Sequence, residues 1–176
     1  MSDNKVPFNY FELEFDKECE ANFDPYKPCT IEFEGETLYA LDRLNVNENF
    51  RAKLELIYAN DIEIPRVRIC CEYNKGERLY FEGEDEDYAM LTITHSYLQK
   101  EGALYFKGYV PYKKQFVIYH VVEEQGYFWT CGQAMKKEVC EDGSIIYRCN
   151  GVDEDNKKSF DTIIFKLTIL EGKKDE

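Results

Sequence analysis

Apolar residues recur at every second position along most of the chain. Residues 53–58 alternate polar and apolar, and 162–169 put Ile163, Phe165, Leu167 and Ile169 on one face. Near the start, Phe11-Glu12-Leu13-Glu14-Phe15 and Ile31-Glu32-Phe33 follow the same rule. A period of two predicts strands with one wet side. Further strands are expected at 67–72, 78–81, 89–94, 103–110, 115–122, 127–130, 135–140 and 144–149. Turn signals separate them: Asn74-Lys75-Gly76, Glu101-Gly102, Gln125-Gly126 and Asp142-Gly143 each supply a residue that tolerates positive φ. Asp142-Gly143 between two β-rich runs predicts a hairpin. Helical signal is thin, with a turn or two expected within 41–53 around Asp42 and one turn at 96–100. Strands spaced by about ten residues predict a sandwich or barrel. We expect one antiparallel β-sandwich domain over 51–172, with 1–50 as an N-terminal extension whose strands pack on it and 173–176 as a frayed tail. Val67, Ile69, Leu91, Ile93, Leu104, Phe106, Phe116, Ile118, Ile163, Phe165 and Leu167 are the expected core.

The chain has 176 residues, enough to bury roughly 70% of its unfolded surface. Its 14 Tyr and 12 Phe suit pleated, half-buried surfaces. A formal charge of −13 repels phosphate backbones, which argues against nucleic acid and anionic membranes. That charge suits a neutral sugar or a basic protein partner, and it also serves solubility. Apolar runs are only a few residues long, so no membrane span is expected. No cationic-then-apolar leader follows Met1, which points to a cytoplasmic protein. The cysteine count is odd at seven, which is read most simply as reduced thiols. Cys131, Cys140 and Cys149 are nine residues apart, unlike the close pairs of zinc sites. Vicinal Cys70 and Cys71 should point to opposite faces of their strand as packing residues.

Catalytic chemistry has little footing. His95 and His120 sit among apolar or aromatic neighbours and are expected to be structural. Cys70, Cys71 and Cys131 are the nearest thiols in sequence, but no nucleophile elbow or oxyanion loop accompanies them. There is no phosphate-binding glycine loop. The acidic run from Glu82 to Asp87 lacks the alternating ligands of a calcium loop and is expected to be solvated. We therefore expect neither an enzyme, nor a metal, nor a cofactor.

The most specific stretch runs from Tyr109-Val110-Pro111-Tyr112-Lys113-Lys114 through Gln115-Phe116-Val117-Ile118-Tyr119 to Tyr127-Phe128-Trp129-Thr130-Cys131-Gly132. It reads as a strand, a short acidic turn and a second strand ending on the only tryptophan beside a glycine. This resembles a hairpin of the starch-binding domains, the family 20 carbohydrate-binding modules, and is most similar to the variant carried by a giant ubiquitin ligase. Val67-Arg68-Ile69, Gly76-Glu77-Arg78-Leu79-Tyr80 and Tyr147-Arg148-Cys149-Asn150 extend the likeness over about 65–150. The resemblance implies an immunoglobulin-like sandwich that binds a glucan without catalysis. It implies that Trp129 and Tyr80 stack on sugar rings, with Lys114, or Lys113 after a one-residue shift, bonding the hydroxyls. The family's asparagine position falls on Ala134, with Gln133 beside it, so one polar anchor is missing.

Sugars present apolar C–H faces to flat rings and need a few fixed polar partners, which fits such a set. Two other classes compete. A protein-interaction module would dock a partner, such as a basic protein, through an acidic face or an edge strand. A lipocalin-like barrel would enclose an apolar ligand. An exposed Trp129 near Lys114 favours the glucan, a buried one the partner, and an enclosed cavity the barrel.

Overall fold

The alternating stretches pair as antiparallel strands in the computed structural model, which describes residues 10–60, 64–124, 127–129, 133–151 and 159–170. Helix α1 (Tyr10–Asn22) precedes β1 (Cys29–Phe33), β2 (Glu36–Asn45), β3 (Asn49–Ala59) and β4 (Pro65–Cys70). A 3-10 turn (Tyr73–Lys75) leads to β5 (Arg78–Phe81), β6 (Met90–Thr94), α2 (His95–Glu101) and β7 (Ala103–Tyr109). Then come β8 (Gln115–Glu124), β9 (Tyr127–Trp129), β10 (Met135–Val139), β11 (Ile145–Cys149) and β12 (Ile163–Leu170). The fold is therefore all-β with two short helices among the described residues.

Hydrogen bonds link the strands in the order β5-β7-β3-β12-β11-β10-β2-β8-β4-β6, with β1 added to β2 and β9 to β8. The two ends meet at a single bridge, Leu79 with Tyr88, so the sheet is nearly closed. Strand β2 is the hinge of this path. Its first half pairs with β1, and its Tyr39 alone pairs with Met135 of β10. Its second half, Asp42–Asn45, pairs with β8. Two walls thus face each other across one core. Phe50 of β3 stacks on Phe116 of β8 at 4.9 Å, and Phe106 of β7 meets the same ring edge-on at 5.9 Å. Every residue expected in the core is buried.

Gly108 shows how tightly the walls meet. A Cβ there would lie 2.2 Å from Phe50 Cε1 and 3.1 Å from Leu79 Cδ2. Phe50 cannot swing aside, because Phe116 and Phe106 hold both of its flanks. Gly108→Ala is expected to cost about 2 kcal/mol, lowering the melting temperature by roughly 6 °C. An unchanged melting curve would mean that the ring has room after all.

The Asp142-Gly143 hairpin forms as expected, joining β10 to β11, with Gly143 at φ +80° and its N–H donating to Cys140 O at 3.0 Å. The 96–100 turn is α2, capped by the Thr94 hydroxyl, which accepts from Tyr97 N at 3.2 Å. The hairpin ending at Trp129 also forms, pairing Val122 with Trp129 and Glu124 with Tyr127. The Gln125-Gly126 turn itself lies outside the described residues.

Three expectations are corrected. Residues 11–15 are helical, because Phe11 and Phe15 are also i and i+4, and one helical face buries both against Leu38 and Ala134. Residues 41–53 hold no helix; they are the end of β2, its turn and the start of β3. The thiols are not all reduced: Cys19 of α1 and Cys29 of β1 form a disulfide with Cα atoms 6.5 Å apart, an ordinary separation. Cys70, Cys71, Cys140 and Cys149 are free.

Candidate functional site

The site proposed from sequence does not assemble in one place. Lys113 and Lys114 precede the first residue of β8, whereas Trp129 is registered opposite Val122 near that strand's far end. At about 3.3 Å per residue, the backbones of Lys114 and Trp129 are roughly 25 Å apart. A single sugar cannot bridge them.

Lys113 is already engaged. Its Nζ donates to Glu72 Oε1 at 2.8 Å and to Pro25 O at 3.3 Å, its side chain is only 9% exposed, and it lies 5.3 Å from the Tyr26 ring centroid. Its backbone N–H donates to Glu77 Oε1 at 2.9 Å. Glu77 is fully buried and accepts a second bond from Glu72 N at 2.7 Å. This carboxylate pins two loops together, and no sequence pattern marks it among 35 acids. Lys114 is exposed at φ +51°, with its backbone bonded to Val110 O and Val46 N. Gln133 is 2% exposed, and neither of its amide atoms reaches a hydrogen-bond partner among the described residues. It belongs to the interior beside His120, not to a ligand surface.

Tyr80 is placed differently. It stands on the outer face of β5, registered with Lys107 of β7, whose Nζ lies 5.4 Å from the Tyr80 ring centroid. Two residues along β7, Tyr109 is 39% exposed and registered with Asn49 of β3. The alternation of β7 explains the grouping: Leu104, Phe106 and Gly108 turn inward, so Tyr105, Lys107 and Tyr109 turn outward. With Glu84 and Asp85 from the β5–β6 loop, Tyr80, Lys107, Tyr109 and Asn49 line an open groove of about 400 Å³. That volume falls in the range of small-molecule sites. The groove offers ring faces, an ammonium, an amide and two carboxylates within one concavity. Asn49, Lys107 and Tyr109 were not foreseen, because only strand register brings them to Tyr80.

The thiols and imidazoles show no nucleophile–base pair among the described residues. Cys70 and Cys71 point to opposite sides, Cys70 toward the Tyr119 hydroxyl and Cys71 against the core. Burial raises the Cys70 thiol, and burial followed by the Glu77 charge pushes Cys71 up to about 12. Both stay protonated near neutral pH. His120 is buried and donates from Nε2 to Asn150 O at 2.9 Å. His95 is buried with Nδ1 3.2 Å from Pro65 O. Cys131 lies outside the described residues. No cluster of potential metal ligands occurs among the described residues, and no helix among them is long and apolar enough to cross a membrane.

No protein family, curated protein or solved structure matches the chain.

Proposed function

We propose that this chain is a non-catalytic binding module for a neutral glucan such as glycogen or a starch-like sugar. The observation that carries the reading is the Tyr80–Lys107–Tyr109 groove with its carboxylate rim. Two rings offer stacking faces, and Lys107, Asn49, Glu84 and Asp85 offer donors and acceptors for hydroxyls. Neutral hydroxyls suit that mixture, whereas an anionic sugar would meet Glu84, Asp85 and a chain charge of −13. The resemblance to starch-binding domains points the same way, most closely to the one in the ubiquitin ligase mysterin. By that analogy the two facing walls are the two layers of an immunoglobulin-like sandwich, and the domain targets a larger assembly to glucan.

Calorimetry with maltoheptaose and with glycogen tests the reading. We expect saturable binding that Tyr80→Ala weakens about tenfold, since a stacked ring contributes roughly 0.5–1.5 kcal/mol beyond its buried area. Trp129→Ala should leave the affinity within twofold. Absence of saturable heat at millimolar sugar would remove the glucan reading. Loss with Trp129→Ala but not with Tyr80→Ala would move the site to the β8–β9 hairpin.

A further inference from the structure

The sheet does not quite close, and the place where it stops is informative. Cys71 N donates to Ala89 O at 3.0 Å, which sets the phase of the β4–β6 ladder. In an antiparallel ladder, alternate residues bond to the same neighbour. Leu91 and Ile93 therefore bond across to β4, and Met90 and Thr92 turn their N–H and C=O groups to the other side. Tyr88, just before β6, still bonds to Leu79 in both directions, at 2.8 and 3.0 Å. Beyond it, no strand among the described residues pairs with Met90 or Thr92 on that side.

Natural edge strands are guarded by lysine, proline or a bulge. The edge Met90-Leu91-Thr92-Ile93-Thr94 has no charge and no proline, and its register with β4 is unbroken. Beside it lies a cavity of about 230 Å³ lined by Phe81, Glu84, Thr92, Ile93, Thr94 and Tyr97. Tyr97, one of its walls, is 47% exposed. The adjoining loop is acidic. Arg51 pairs with Glu82 and Arg78 with Asp87, but among the described residues no cation pairs with Glu84, Asp85 or Glu86.

We propose that the open edge of β6 docks an extended, basic segment of a protein partner by strand addition. The partner's backbone bonds to Met90 and Thr92, alternate apolar side chains enter the cavity, and its Lys or Arg residues lie along Glu84–Glu86. Main-chain bonds supply attachment, and the pocket and the charges supply selectivity.

The probe is a fluorescein-labelled octapeptide of alternating Lys and Val, read by fluorescence anisotropy at low salt. Wild type should bind it saturably, and Thr92→Pro should reduce affinity at least tenfold by removing the outward N–H, a change an edge strand tolerates. Thr92→Ser should bind like wild type. The same peptide N-methylated at alternate residues should fail to compete on wild type, an arm that needs no folded variant. Neutralising Glu84, Asp85 and Glu86 to their amides should weaken binding and flatten its salt dependence. No saturable binding, or equal binding by the N-methylated peptide, would overturn the proposal; the latter would mean that charge alone attracts the probe. Thr92→Pro should keep wild-type maltoheptaose affinity, so failure here and failure of the glucan groove are separable.

Discussion

Asp42→Ala is expected to destabilise the fold by about 3–5 kcal/mol, the cost of breaking a buried ion pair from one side. Asp42 is 1% exposed and takes three bonds: from the Tyr147 hydroxyl at 2.6 Å, the Lys137 ammonium at 2.8 Å and Arg43 N at 2.9 Å. Its place in the path makes it matter. Backbone pairing between β10 and β2 consists of one residue pair, Met135 with Tyr39. Side chains hold the rest of that junction, since Asp42 reaches from β2 to Lys137 on β10 and Tyr147 on β11. Alanine would leave a buried hydroxyl and a mostly buried ammonium without their acceptor. Burial, and next the Asp42 charge, raise the Tyr147 hydroxyl above its ordinary range, so it remains a donor and cannot relieve the loss by ionising. Chemical denaturation should show the shift, and Asp42→Asn should recover part of it. Tyr147→Phe combined with Asp42→Ala should cost clearly less than the two single changes added, because both remove one contact. A loss under 1 kcal/mol would show that the junction stands on backbone and apolar packing alone.

The strands were legible because one face of each is buried, and burial on a pleated strand writes a period of two into the sequence. The whole expected core follows from that rule. Residues 11–15 defeated it, since Phe11-Glu12-Leu13-Glu14-Phe15 satisfies both a period of two and an i, i+4 helical contact. Only the partner surface at Leu38 and Ala134 decides between them. Strand β2 was hidden for a related reason: it buries Asp42 between Leu38 and Leu44, so a polar residue occupies an interior position. One residue of the groove was legible. Tyr80 could be marked from its local motif, but its companions Asn49, Lys107 and Tyr109 come from β3 and β7, and no spacing along the chain reports their register. The engagement of Lys113 could not be read from local sequence either. Lys113 is recruited by Glu72 and by the carbonyl of Pro25, contacts formed only after folding. The Cys19–Cys29 link likewise depends on a helix that alternation had concealed.

Acid should destabilise this protein well above the carboxylate range, and His120 is the reason. Its side chain is fully buried, and burial lowers its pKa from 6.5 to about 4. The Asn150 carbonyl and the Gln133 amide act in the opposite direction without compensating. Nε2–H donates to Asn150 O, and the buried Gln133 amide beside the ring does not offset the cost of charging an imidazole removed from water. The folded pKa therefore lies below the unfolded one. As pH falls past 6.5 the unfolded chain binds a proton that the native state refuses, and stability drops. The loss should be about 1 kcal/mol at pH 5.5 and approach about 3 kcal/mol near pH 4, below which the native ring also protonates and the slope vanishes. Asp142 acts in a separate window. Bonds from the Ser144 hydroxyl and backbone, and then from Lys166, hold its pKa near 2, so its contribution fades only below about pH 4. Urea midpoints at pH 7, 5.5 and 4.5 would trace the histidine step. His120→Gln, which cannot titrate, should be less stable at pH 7 yet lose much less between pH 7 and 4.5. Parallel pH profiles for wild type and His120→Gln would show that this ring takes its proton inside the fold, and that the acid sensitivity arises elsewhere.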